Sequence, residues 1–267
     1  MTTQTNETSN VVETSKTNFT AKQKMILAIC AMASVVIIVL SSAFATVALL
    51  TSSAAVSNVF TIGDVKITMT ETKVDEDGVP VEGGGQVDTN TYKLVPNTTY
   101  TKDPRINVDP VSEGSFLFVL VRNDIEAIED TTENGVHTIA AQLAANGWAK
   151  YTKAATGWVY VYVGFSEDSE GNSISNVNYE TEKSKTVDSE FGYNAAIVMP
   201  GEYFLFKTFT IADNAPTNLY GAAKITLTAV AIQTAGFTSD TDAPHDIDEA
   251  WEAVKAAYPY INTGTAN

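Results

Sequence analysis

The sequence predicts a mainly β protein, a two-sheet jelly-roll-like sandwich with short helical insertions, preceded by an N-terminal hydrophobic leader helix. Two observations predict the sandwich. Strand-like segments recur along the chain, and turn-forming pairs such as Asp77-Gly78 and Pro200-Gly201 separate them. A third observation, an uncharged run of 26 residues at positions 25–50, predicts the leader. Residues 49–267 are long enough to form a single β-sandwich domain with its own core.

Five segments carry the strand pattern. In the first, Val65, Ile67 and Met69 alternate with polar residues, which is the period of a half-buried strand. Residues 116–121 (FLFVLV) have no polar face and predict a central strand. Trp158, Tyr160 and Tyr162 alternate with valines, so that strand is also expected to be covered on both sides. The remaining two are 203–211 (YFLFKTFTI) and 224–232 (KITLTAVAI).

Two segments have helical spacing instead. In residues 136–145 (VHTIAAQLAA) the apolar positions recur at three- and four-residue intervals, and Asn146-Gly147 supplies a stop. Residues 246–257 (DIDEAWEAVKAA) place Ile247, Trp251 and Val254 on one face, with acids in the first turn. Both segments predict short helices attached to a sheet protein.

The apolar run at 25–50 predicts export. As a helix it would span about 39 Å, enough for a bilayer core of about 30 Å, so length does not separate a signal peptide from an anchor. Three lysines, Lys16, Lys22 and Lys24, precede the run, and small residues end it, which is the layout of a secretory leader. Residues 25–48 are therefore a cleaved signal peptide or a retained membrane anchor. Residues 1–24 are polar and predict a disordered cytoplasmic tail.

Charge limits the partners of the exported part. Residues 49–267 carry 13 Lys and Arg against 30 Asp and Glu, a net charge of −17. Such a surface repels nucleic acid, and contact with membrane is expected only through the leader. The single cysteine, Cys30, lies within the leader, so the exported domain is expected to be stabilised by core packing without a disulfide.

Four segments resemble the TasA/camelysin family of Gram-positive secreted proteins. The junction 46–51 (TVALLT) and the following 58–65 (NVFTIGDV) resemble the family's cleavage region and first strand. Residues 92–109 (YKLVPNTTYTKDPRINVD) are similar to a second family stretch, with Asn97 replacing its usual glycine. The third segment is 116–121 with Asn146-Gly147-Trp148, and the last is 225–236 (ITLTAVAIQTAG) with the following 248–251.

The resemblance implies a secreted structural protein of biofilm matrix. A SipW-type signal peptidase is expected to cut between Ala48 and Leu49, and the domain is expected to self-associate into extracellular fibres, with other matrix components as further partners. The segment just after the cut is expected to act as a donor strand, carried by Leu50, Thr51, Val56 and Ser57. Residues 49–62 are uncharged and β-compatible, and could equally form the first edge strand of their own domain.

Two alternatives remain at this point, a camelysin-like cell-surface metallopeptidase and a monomeric membrane-anchored surface protein. The first has little support, because the chain has only His137 and His245 and no His-Glu-x-x-His motif. There is no Gly-x-Ser-x-Gly motif either, so no catalytic residue is predicted. No cofactor is predicted, although calcium at one of three acidic segments stays open: 75–78, 167–170, and Asp240 with Asp242.

Overall fold

The computed structural model describes residues 58–132, 135, 137–187, 189–216, 224–235, 237, 247–259 and 261. These residues lie in one compact unit that is mainly β, with several sheets and a few short helices. This confirms the predicted mainly β class. The predicted leader at 25–48 and the polar tail at 1–24 lie outside the described residues. Within the described part of the chain, no helix is long and apolar enough to cross a membrane.

A five-stranded sheet forms the centre of the fold, in the order β1-β13-β6-β8-β7. Its central strand β6 is antiparallel to both neighbours, whereas β1 is parallel to β13. The bounds of its strands are β1 Asn58–Ile62, β6 Ser115–Asn123, β7 Trp148–Ala154, β8 Gly157–Tyr162 and β13 Ile225–Gln233.

Both faces of this sheet are buried, as the sequence predicts for 116–121. Along β6, Leu117 and Val119 point into one apolar cluster, and Phe116 and Phe118 point into another. All four side chains are fully buried. The alternation follows from strand geometry, because successive side chains leave opposite faces. A strand with no polar face therefore requires a cover on each side.

The first cover is a second sheet, in the order β11-β5-β2-β3. Ile67 and Met69 of β2 and Ile106 of β5 pack with Leu117 and Val119 into the larger of the two clusters. An antiparallel ribbon of β4 and β12 closes this core, with the rings of Tyr100 and Phe209 stacked at 5.0 Å. The bounds are β2 Ile67–Thr72, β3 Gln86–Val87, β4 Thr98–Thr101, β5 Arg105–Val108, β11 Gly201–Phe204 and β12 Thr208–Ile211.

A helix covers the other face of the central sheet. We number the helices α1 Ile139–Ala145, α2 Tyr179–Lys183 and α3 Ile247–Ala257, and a small hairpin pairs β9 Phe165–Glu167 with β10 Ser173–Ser175. The apolar face of α3 buries Ala250, Trp251 and Val254, and the Trp251 ring lies 5.1 Å from that of Phe118. Helices α1 and α3 confirm the two helical segments, with α1 beginning at Ile139 after its N-cap Thr138.

One predicted strand is divided in the structure. Residues 203–211 form parts of β11 and β12, which belong to different sheets. The division falls at Leu205 and Phe206, two consecutive residues that are both fully buried in the larger core. A straight strand would place them on opposite faces, so the chain bends here and crosses from the second sheet to the β4–β12 ribbon.

Side chains of the α2 region close the β7 edge of the central sheet. The Lys150 backbone N–H donates to the Glu182 carboxylate, and the Lys185 ammonium donates to the Lys150 carbonyl. The β7–β8 register shifts between Lys150 and Thr152, as in a β-bulge. Glu182 and Lys185 therefore occupy the backbone groups of Lys150, which hinders the addition of another strand at this point of the edge.

A second buried carboxylate joins the loop after β6 to the start of α1. Glu129 accepts hydrogen bonds from the Ile139 backbone N–H and the Asn123 side chain, both at 2.9 Å. Burial raises the pKa of the Glu129 carboxyl above its ordinary value, and these two hydrogen bonds oppose the rise. The folded state therefore holds this proton more tightly than the unfolded chain does.

Glu129 is expected to make the protein less stable as pH rises. Between the unfolded and the raised folded pKa the native state binds more protons, so the free energy of unfolding falls with increasing pH through this window. In Glu129→Gln this contribution disappears, and the variant should gain stability relative to the native protein from pH 4 to pH 7. Urea unfolding across that range measures the difference. Glu113→Gln, at an exposed position, is the control; an equal trend in both variants would contradict the assignment.

Candidate strand-acceptor site

The edge strand β1 is held by only one neighbouring strand among the described residues. Its five residues pair in parallel with β13, in the register Asn58 to Thr228 through Ile62 to Ile232. Val59 is buried in the larger core, and Phe60 and Ile62 pack against the cluster under α3. Both faces of β1 therefore contribute to packing, although the strand lies at the edge of its sheet.

The segment after α3 covers part of β1. The Tyr258 hydroxyl donates to the Thr61 carbonyl at 3.0 Å, and its ring lies 4.5 Å from that of Phe60. Tyr258 is itself almost completely buried. A side chain from the far end of the chain thus occupies one backbone acceptor of the edge strand.

Strand β13 extends past the start of β1. Residues 225–227 pair with β6 on one side, Ile225 with Asn123 and Leu227 with Val121. Because β1 begins opposite Thr228, no strand in the described part of the chain pairs with 225–227 on the other side. Residues 55–57, which directly precede β1, lie outside the described part of the chain. Among the described residues, 225–227 is thus a length of strand with one partner, beside which an extended segment could pair.

Two adjoining cavities lie beside this stretch of β13. Together we call them the β13 groove. The first, of about 140 Å³, lies between the start of β13 and β2 and is lined by Met69, Glu71 and Leu227. The second, of about 210 Å³, is lined by more apolar groups, including Tyr92 and Phe209. Four residues border both cavities: Thr89, Lys102, Lys224 and Ile225.

A buried ion pair forms one wall of the β13 groove. The Lys102 ammonium lies 2.6 Å from Glu71 Oε2, and both side chains are at least nine-tenths buried. The ammonium also lies 5.9 Å from the Tyr92 ring centroid, and burial beside Glu71 raises the pKa of the Tyr92 hydroxyl. Glu71 Oε1 is buried and has no hydrogen-bond partner among the described residues.

The sequence-predicted site residues fall mostly outside the described part of the chain. The cleavage pair Ala48 and Leu49 and the donor residues Leu50, Thr51, Val56 and Ser57 all precede residue 58. Within the predicted arm at 49–62, only 58–62 are described, and they form β1 on their own domain. The prediction for 49–57 stays a prediction.

The acidic segments considered for calcium serve as turns where the structure describes them. Asp75 Oδ1 accepts from the backbone N–H groups of Asp77 and Val79. Asp168 accepts from Glu170 and Asn172, and these hydrogen bonds lower its pKa. His137 is exposed before α1, whereas His245, Asp240 and Asp242 lie outside the described residues. Within the described residues, no group of His, Cys, Asp and Glu is placed to hold a metal ion.

Comparison with known proteins adds no family assignment. A scan against protein-family profiles and searches of curated proteins and of solved structures all found no match to this chain. The functional argument therefore depends on the geometry of β1, β13 and the groove beside them.

Loss of the Tyr258 hydroxyl is expected to loosen β1. Tyr258→Phe keeps the buried ring but removes the hydrogen bond to the Thr61 carbonyl, which should lower the free energy of unfolding by about 1 kcal/mol. Amide hydrogen exchange should accelerate in β1 more than in β8. Tyr203→Phe, which removes a hydroxyl that donates to Met199 at 2.7 Å, is the matched control. Equal exchange in β1 for both variants would show that Tyr258 does not secure this edge.

Proposed function

We propose that this chain is a secreted, non-enzymatic structural subunit of extracellular biofilm-matrix fibres, with a jelly-roll-like domain that assembles by donor-strand addition. In this proposal a SipW-type signal peptidase removes the leader, and residues 49–57 become a new N-terminal arm. The arm of one subunit enters the β13 groove of the next. The resemblance to the TasA/camelysin family motivates the proposal, and the geometry of β13 supports it independently.

The observation that carries the proposal is the stretch 225–227, which among the described residues is paired with a strand on one side only. These residues line the β13 groove, whose walls come from β2, β13 and the residues around Tyr92. A strand added here would gain backbone hydrogen bonds from β13 and apolar contacts from Met69 and Leu227. The β7 edge at the opposite side of the sheet is occupied by Glu182 and Lys185. Among the described residues, the β7 edge is thus covered at Lys150, whereas 225–227 has a strand on one side only.

The arm has the chemistry that such a groove requires. Residues 49–57 (LLTSSAAVS) carry no charge, although the exported part as a whole is strongly acidic. In an extended conformation Leu50 and Val56 project from the same face, since both positions are even. Burial of each aliphatic side chain contributes about 1.5–3 kcal/mol. Two such side chains, together with backbone hydrogen bonds of about 1 kcal/mol each, would favour the association of neighbouring subunits.

In this proposal the donor (residues 49–57) and the acceptor (the β13 groove) are different parts of the same chain. A contact of this kind is heterologous, and each added subunit presents a new free arm or a new free groove. Unless the rotation between subunits closes a ring, repetition generates a filament. Fibre growth thus requires no second protein.

Charge on the apolar face of the arm should abolish assembly. We expect Leu50→Asp with Val56→Asp to leave a folded monomer, because a carboxylate cannot be buried in the groove without a partner. The control, Thr51→Asp with Ser57→Asp, adds the same charge at odd positions that face away from the groove wall and should assemble more slowly but still form fibres. Light scattering and electron microscopy at equal concentration provide the comparison.

Two outcomes of this experiment would contradict the proposal. Fibres from the Leu50→Asp, Val56→Asp variant equal to those of the native protein would show that the arm is not the donor. Fibres from a chain that begins at Asn58 would show the same, and assembly would then use another edge.

The leader is expected to be removed between Ala48 and Leu49. Thr46 and Ala48 place small residues at the two positions that a signal peptidase reads. Intact-mass measurement of the protein recovered from the culture medium or the cell surface should give the mass of residues 49–267. A mass that includes residues 25–48 would replace the fibre subunit by a membrane-anchored surface protein, because the arm would have no free end.

A further inference from the structure

A second concave site lies near the β8–β7 edge of the central sheet, and nothing in the proposed assembly uses it. This cleft, of about 420 Å³, is formed by β7, β8, the loop after β6 and the first residues of α1 and α2. Its lining is mainly polar and aromatic, and the residues that matter below are Glu126, Lys150, Lys153, Trp158, Tyr160 and Tyr179. We call it the Trp158 cleft.

Tyr160 lines the Trp158 cleft from within the core. Its side chain is only 5% exposed, and it borders the cleft beside Trp158. Burial is the main reason that its pKa is raised, so the group stays a neutral donor and acceptor. A hydroxyl at the wall of a cleft can donate to or accept from a polar ligand bound there.

Positive charge borders the aromatic wall of the same cleft. The ammonium groups of Lys150 and Lys153 lie 5.0 and 5.1 Å from the Trp158 ring centroid. Lys153 is exposed and makes no ion pair with a described residue, whereas Lys150 donates to the Glu182 carbonyl at 3.1 Å. The cleft thus places two cations beside one indole ring, although residues 49–267 carry a net charge of −17.

Further polar and charged groups line the cleft. The hydroxyls of Tyr179 and Thr138 lie 3.2 Å apart at the edge of α1, and Asp124, Glu126 and Glu129 add carboxylates to the lining. Hydroxyls and a carboxylate can hydrogen-bond the hydroxyl groups of a sugar, an indole face packs against its C–H groups, and lysines bind an acid substituent. A plain inorganic anion would use the lysines alone.

We infer that the Trp158 cleft binds an acidic saccharide of the uronic-acid type, through its carboxylate at Lys153, its ring against Trp158 and a hydroxyl at Tyr160. This inference is independent of fibre assembly, because neither β1 nor the β13 groove contributes to the cleft. In a matrix the Trp158 cleft would attach the protein to an anionic polysaccharide in spite of the protein's own negative charge.

Calorimetric titration of the purified native protein with tetragalacturonate tests the inference. We expect saturable binding in 0.15 M salt, at least tenfold tighter than binding of the neutral tetragalactose or of citrate. Tyr160→Phe removes one oxygen without changing the ring and should weaken binding about fivefold, with the thermal unfolding midpoint unchanged or slightly raised. Lys153→Gln should weaken it about three- to tenfold.

Lys207→Gln removes the same charge from an exposed position outside the cleft and should change the affinity less than twofold. Three results would each overturn the inference. These are the absence of binding at millimolar tetragalacturonate, equal binding of citrate, and affinities of Tyr160→Phe and Lys153→Gln that match the native protein. Loss of fibres in any of these samples would bear on the assembly proposal alone.

Discussion

The fold depends on the burial of β6 from both sides. A strand whose successive residues Phe116, Leu117, Phe118 and Val119 are all fully buried cannot lie on a sheet with one solvated face. The second sheet covers one side and α3 covers the other, and each presents an apolar face to the central sheet. Removal of either cover would expose several large side chains at once. The three-layer arrangement is therefore a direct consequence of one uninterrupted apolar strand.

Those parts of the fold that depend on local pattern could be predicted from the sequence. The central strands β6, β8 and β13 and the helices α1 and α3 all carry their period in consecutive residues. Strand β7 (WAKYTKA) does not, because its bulge after Lys150 interrupts the alternation. The division at Leu205 and Phe206 could not be predicted from the pattern either. There the apolar run continues through the point at which the backbone changes direction.

The candidate sites depend on contacts between residues far apart in the chain, which a single sequence does not reveal. Tyr258 reaches Thr61 over 197 positions, and Lys102 reaches Glu71 over 31. Neither pair has a motif of its own. The aromatic alternation at 158–162 did indicate a strand covered on both sides. The pattern did not indicate that both Trp158 and Tyr160 line a cleft, with Tyr160 at the same time part of the buried core.

The parallel pairing of β1 with β13 has a consequence for the order of folding. A chain is synthesised from its N-terminus, so β1 emerges first and β13 among the last strands. The first strand cannot pair until nearly the whole domain has been made, and closing so long a loop is slow. During that interval β1 and the residues before it remain accessible to other chains. The local concentration of newly made neighbours then decides whether this strand completes its own sheet or exchanges with that of another molecule.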